Sequence, residues 1–241
     1  MSRTRALALA TLLAALVIFG AVAGHLPDLP SGFDVAFHAV VVLPAFAAVI
    51  WLALPLARTT TRTLLALVIA AGGLAALLTL IGADSGANVA KLACYGLAGF
   101  CFLTLFEELW WLALVAALVP WVDIWSVAAG PTEYVVEQRP GIFERVAVAL
   151  PNLGETATVS IGPPDVVFFG LFLAAAARFG LRVPATWLTM TGLLAATLVL
   201  VWAWHDVSGL PALPAVCLGF LLPNADLVWR DARRARATES P

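Results

Sequence analysis

Three ionisable side chains stand within or at the head of apolar stretches where a charge is expensive: His38, Asp123 and Asp165. Holding a charge at the centre of a bilayer costs at least about 2.5–3.5 kcal/mol on insertion scales, so such residues face a partner or a cavity and often mark function. Two carboxylates brought close together cannot both ionise. One proton is then held by the pair, which offers a base and an acid side by side. Those two roles suffice for peptide hydrolysis. The ionised Asp takes a proton from an attacking water, while its protonated partner hydrogen-bonds the scissile carbonyl and later protonates the leaving amine. Singly, each aspartate also has a plainer reading. Gly162-Pro163-Pro164-Asp165 is an ordinary helix start, with proline where an amide would go unpaired and an acid at the positive end of the dipole. Asp123 fits an interfacial residue near a helix end. No charged mate is evident for His38, which is expected to hydrogen-bond within the bundle.

The elements that must carry these residues are membrane helices. Of the 241 residues, 62% are hydrophobic and 12% charged, and the mean hydropathy of +0.99 exceeds what a soluble core needs. Crossing roughly 30 Å of hydrocarbon takes about 20 apolar residues in a helix, whereas barrel strands would alternate over about 10. Eight such runs are predicted, at 6–24, 33–56, 63–83, 87–106, 108–129, 164–181, 185–204 and 211–229. The fold class is an all-α polytopic membrane protein. Glu107-Glu108 is placed at the turn that divides the long apolar block between Asn88 and Gly130. With eight alternating spans, every one of the thirteen basic residues except Lys91, Arg139 and Arg145 falls on one side, which makes both termini cytoplasmic. The tail after Trp229 reads as a topology anchor that also attracts anionic lipid. The first span competes with a signal peptide, because Ala21-Val22-Ala23 matches an A-x-A cleavage pattern.

Tryptophans near the predicted span ends read as interfacial belts. Cys94, Cys101 and Cys217 lack metal-ligand spacing and read as small packing residues, so neither a metal nor another cofactor is expected. Glycine-rich phosphate loops are absent, and no nucleic-acid partner is expected.

In sequence order, Asp123, Asp165 and Pro211-Ala212-Leu213 lie on three of the predicted helices. In this the chain resembles the presenilin and signal peptide peptidase family of intramembrane aspartyl proteases. Members carry a Tyr-Asp on one helix, a Gly-x-Gly-Asp opening the next and a Pro-Ala-Leu at the last helix. The resemblance covers roughly residues 110 to 229, and the short chain is similar to prokaryotic members. It implies Asp123 and Asp165 as the catalytic pair. It also implies that Gly162, Pro163, Pro164, Pro211, Ala212 and Leu213 shape the substrate cleft, in a presenilin-like bundle. Val122 stands in place of the family's Tyr, and Pro164 in place of its second Gly. Because Pro holds φ near −65°, a positive φ is excluded at 164. The family usually has six helices up to and including the first-aspartate helix, against five here, so a total of nine is the alternative to eight.

Three regions follow: 1–129, an N-terminal bundle ending in the first-aspartate helix; 130–162, an extramembrane loop; and 163–241, a three-helix part with the second aspartate and the Pro-Ala-Leu segment. In the loop, Glu155–Gly162 is rich in Thr, Val and Ile and is expected to pair as a strand with an unwound substrate. Ile142–Pro151 adds a second apolar stretch, expected to lie at the interface or over the cleft. The substrate would be a single transmembrane helix with a cytoplasmic N-terminus, cut by the Asp123/Asp165 dyad and a bound water. Two rivals are a catalytically silent relative that binds transmembrane helices, favoured by Pro164, and a small proton-coupled transporter, which predicts inverted repeats that are not seen.

Overall fold

The computed structural model describes residues 1–129, 141, 145–151, 153–154, 158–204 and 211–238. Five long helices come first: α1 (Arg3–Val22), α2 (Ser31–Arg58), α3 (Thr61–Leu80), α4 (Asp84–Phe102) and α5 (Leu109–Ala129). Ser2 and Thr60 start α1 and α3 by accepting the amides of Arg5 and Thr63, each at 3.3 Å. Gly82, at φ +73°, makes the tight turn from α3 into α4. The break at Glu107-Glu108 between α4 and α5 falls where the sequence places it.

The second half holds α6 (Pro163–Arg178), α7 (Val183–Ala203), α8 (Leu213–Leu221) and α9 (Ala225–Thr238). Among the described residues, six helices are long and apolar enough to cross a membrane: α1 to α5 and α7. The other two predicted spans differ from expectation. The run at 164–181 forms a helix of 16 residues, roughly 24 Å at the rise of an α-helix. The run at 211–229 is divided by a tight turn at Leu222–Asn224 into α8 and a charged α9, because Pro223 supplies no amide to continue the ladder.

Helix α6 is the core of the molecule, with every residue from Phe169 to Ala176 buried. It meets α4 through glycines: a Cβ on Gly170 would lie 2.7 Å from the Gly96 carbonyl oxygen. Such close approach of backbones supplies the packing that hydrophobicity cannot supply between helices in lipid. On its other side the Phe172 ring stacks on Phe220 of α8 at 4.6 Å.

Basic side chains gather at one end of the bundle. Arg5 donates to the carbonyls of Trp51 and of Leu52 (3.0 Å), and Arg178 to Leu103 (3.1 Å), satisfying carbonyls that helix ends leave open. At the far end an antiparallel hairpin departs from the all-α expectation. Strand β1 (Val148–Pro151) pairs with β2 (Thr158–Ile161), Val148 opposite Ile161 and Pro151 opposite Thr158. Strand β2 lies in the Thr/Val/Ile-rich segment predicted to be extended. Residues 130–140 of the predicted loop, 142–144 of Ile142–Pro151 and 155–157 of Glu155–Gly162 lie outside the described residues.

Candidate active site

Helix α5 carries Asp123, α6 carries Asp165 as its third residue, and α8 opens at Leu213; α8 packs against both of the others. The Leu213 amide donates to Asp123 Oδ2 at 3.2 Å. That amide is among the first of α8, one of the four donors a helix start leaves unpaired, and a carboxylate from another helix satisfies it. Asp165 is held in the same manner by its own helix start. Its Oδ2 accepts the Gly162 amide at 3.2 Å, while its amide donates back to the Gly162 carbonyl at 3.1 Å. Thus the helix-start reading of Asp165 is realised in the geometry.

The two carboxylates are near enough to interact electrostatically, and the fully buried Cys217 lies one turn into α8. Each anchored carboxylate has a second oxygen with acceptor capacity of its own. Two such groups on helices that both pack against α8 offer the pair of carboxylates that general acid–base chemistry on water uses. Among the described residues no three His, Cys, Asp or Glu side chains group as metal ligands would.

Pro164 occupies the second position of α6, where helical φ is what proline already prefers. Among the described residues no residue other than glycine has a positive φ, and Gly162 itself sits at φ −64°. The fold therefore makes no demand at 164 that proline fails to meet. What Gly162 supplies is space: a Cβ there would lie 3.0 Å from Asp165 Oδ2. Pro211 and Ala212 lie half-buried just before α8, whereas Val122 is 63% exposed and turned away from the core.

Residues that sequence reasoning passed over hold the hairpin beside Asp165. Asn88, Lys91 and Tyr95 form one polar stripe on α4. Lys91 Nζ donates to the Ala147 carbonyl (3.1 Å), Tyr95 Oη to that of Val146 (2.7 Å), and Asn88 Oδ1 accepts the Ala149 amide (3.3 Å). The spacing of three and four residues on an apolar helix was the available signal. His38 adds Nε2 at 3.0 Å from the Pro151 carbonyl. Its ring does have an acidic neighbour, contrary to the sequence reading: Asp34 Oδ2 lies 3.5 Å from Nδ1, one turn earlier on α2.

Residues 149 and 151 alternate along β1, with Ala147 just before it, so their backbone groups share the edge facing away from β2. That edge is taken up by side chains of α4 and α2. By the same register, the backbones of Thr158 and Ser160 face outward from β2.

Comparison with known proteins adds no relative, since no family model, curated protein or solved structure matches the chain. The fold and its apolar helices define the class, a largely helical integral membrane protein with several spans.

Proposed function

We propose that this protein is an intramembrane aspartyl protease of the presenilin and signal peptide peptidase type, with Asp123 and Asp165 as the acid–base pair acting on a bound water. The observation that carries this reading is the meeting of three segments distant in sequence. Asp123 and Asp165 interact across the junction of α5 and α6, and the Pro-Ala-Leu segment closes it by donating the Leu213 amide to Asp123. A silent relative was favoured by Pro164, but the helical position of that proline removes the reason to prefer it.

The two short helices support the same reading. Both α6 and α8 border the aspartates, and α8 is preceded by the non-helical Pro211-Ala212. In hydrocarbon, irregular backbone persists only where protein or a water-filled cavity satisfies it. Counting α6 and α8 as incomplete spans around such a cavity gives eight membrane helices. The basic end of the bundle is then cytoplasmic, together with both termini, and the hairpin faces the opposite side.

The substrate in this reading is a single transmembrane helix, unwound at the cleft and paired as a strand with the outward edge of β2. Gly162, Pro163 and Pro164 border it on one side, and Pro211, Ala212 and Leu213 on the other. The test uses detergent-solubilised protein and a fluorogenic transmembrane peptide. Wild type should cleave it, and Asp123→Asn and Asp165→Asn should not. Equal cleavage by all three would trace the activity to a contaminant, and binding without cleavage by wild type would make the protein a silent helix binder.

A further inference from the structure

Of the groups that hold the outer edge of β1, one differs in kind. Lys91 and Asn88 meet their partners as a plain donor and a plain acceptor, whereas the buried His38 ring meets acceptors at both nitrogens. Nδ1 lies 2.8 Å from the Asp34 carbonyl oxygen and 3.5 Å from its carboxylate, and Nε2 lies 3.0 Å from the Pro151 carbonyl oxygen. A carbonyl oxygen can only accept. A neutral imidazole donates from one nitrogen and directs a lone pair from the other, so it satisfies one of these contacts and opposes the other.

The ring also sits in a π-turn, His38–Val42, within the otherwise α-helical α2. Single π-turns inside helices are often associated with functional positions. Asp34 extends the contact, because its Oδ1 accepts the Leu153 amide at 3.5 Å. One acid–histidine pair on α2 thus grips the chain on both sides of residue 152. Few other charges face the ring. Helix α7 and strand β1, which approach it, have no titratable side chain. Helix α1 reaches this end with Phe19, which packs on Phe37, while its own Arg3 and Arg5 lie at the opposite end of the bundle. His25 and Asp28, in the connection that follows α1, are exposed.

We propose that His38 is a positioning residue that latches the β1–β2 hairpin to α2, its Nε2 held against the Pro151 carbonyl while Asp34 of the same helix turn takes the Leu153 amide. Strand β2 runs directly into Gly162 and Asp165. Seating β1 therefore fixes the position of the β2 edge relative to the aspartates. That last step rests on the proteolytic reading above; the latch itself does not.

Hydrogen exchange on the full-length protein in detergent tests the latch without reference to proteolysis. His38→Phe, which removes the donor, should cost the amides of 148–150 and 158–161 roughly three- to tenfold in protection, the range that one net hydrogen bond spans. His38→Gln, which keeps an amide donor, should recover part of it, with the unfolding temperature of the helical bundle unchanged in both variants. Wild-type protection in His38→Phe would overturn the proposal, as would an equal loss in the two variants. Should His38→Phe not fold, His38→Gln decides: a loss spread over the helices and not confined to the hairpin would overturn it. A protein that fails to cleave any peptide yet shows the hairpin-confined loss would keep the latch and lose the protease.

Discussion

The amide of Leu213 and the carboxylate of Asp123 form a hydrogen bond of 3.2 Å across 90 residues of sequence. This contact ties the start of α8 to α5, giving Asp123 a structural duty beside its proposed chemical one. The two duties separate by substitution. Asp123→Ala leaves a helix-start amide without its acceptor and should lower stability by about 1–3 kcal/mol, whereas Asp123→Asn keeps an acceptor oxygen and should cost less. Thermal unfolding in detergent measures the difference, and cleavage should be lost in both variants.

Gly162 and Pro164 make opposite predictions from neighbouring positions. Gly162→Ala places a methyl 3.0 Å from Asp165 Oδ2. The carboxylate must shift by a few tenths of an ångström, and turnover should fall at least about tenfold, given how steeply catalysis depends on placement. Pro164→Gly should leave turnover within roughly a few fold of wild type. It should also lower stability by about 0.4–1 kcal/mol, through the greater freedom of the unfolded chain. A large gain in cleavage by Pro164→Gly would show that proline had been silencing the site.

Outside the spanning helices, Arg182 grips Asp226 with both terminal nitrogens, at 2.6 and 2.9 Å. Those hydrogen bonds hold the Asp226 carboxyl down at about 2. Because the folded value lies below the unfolded one, the pair stabilises the protein above the ordinary carboxylate range and the contribution is lost as pH falls towards 2. The unfolding temperature of wild type should exceed that of Asp226→Asn at pH 6, with the gap closing between about pH 4 and 2. The gap should also shrink in high salt, since both side chains are solvent-exposed.

Sequence by itself determined the parts of this protein that one local rule governs. Lipid offers no hydrogen bonds, so a long apolar run must become a helix, and α1 to α5 and α7 could be placed from composition and length alone. The turn at Glu107-Glu108 and the strand before Gly162 were legible for similar local reasons. So was the order of Asp123, Asp165 and Pro211-Ala212-Leu213, as a motif. Only the tertiary structure decided how these parts meet. The close approach of α6 to α4 at Gly96 and Gly170 belongs to this kind, because a glycine does not mark which backbone will lie against it. His38 finds its partner 113 residues later in Pro151, and Asn88, Lys91 and Tyr95 find theirs in a hairpin whose edge they occupy. A backbone carbonyl is the same group in every residue, so nothing in the sequence marks which one a distant side chain will reach. Packing alone brings that carbonyl within range.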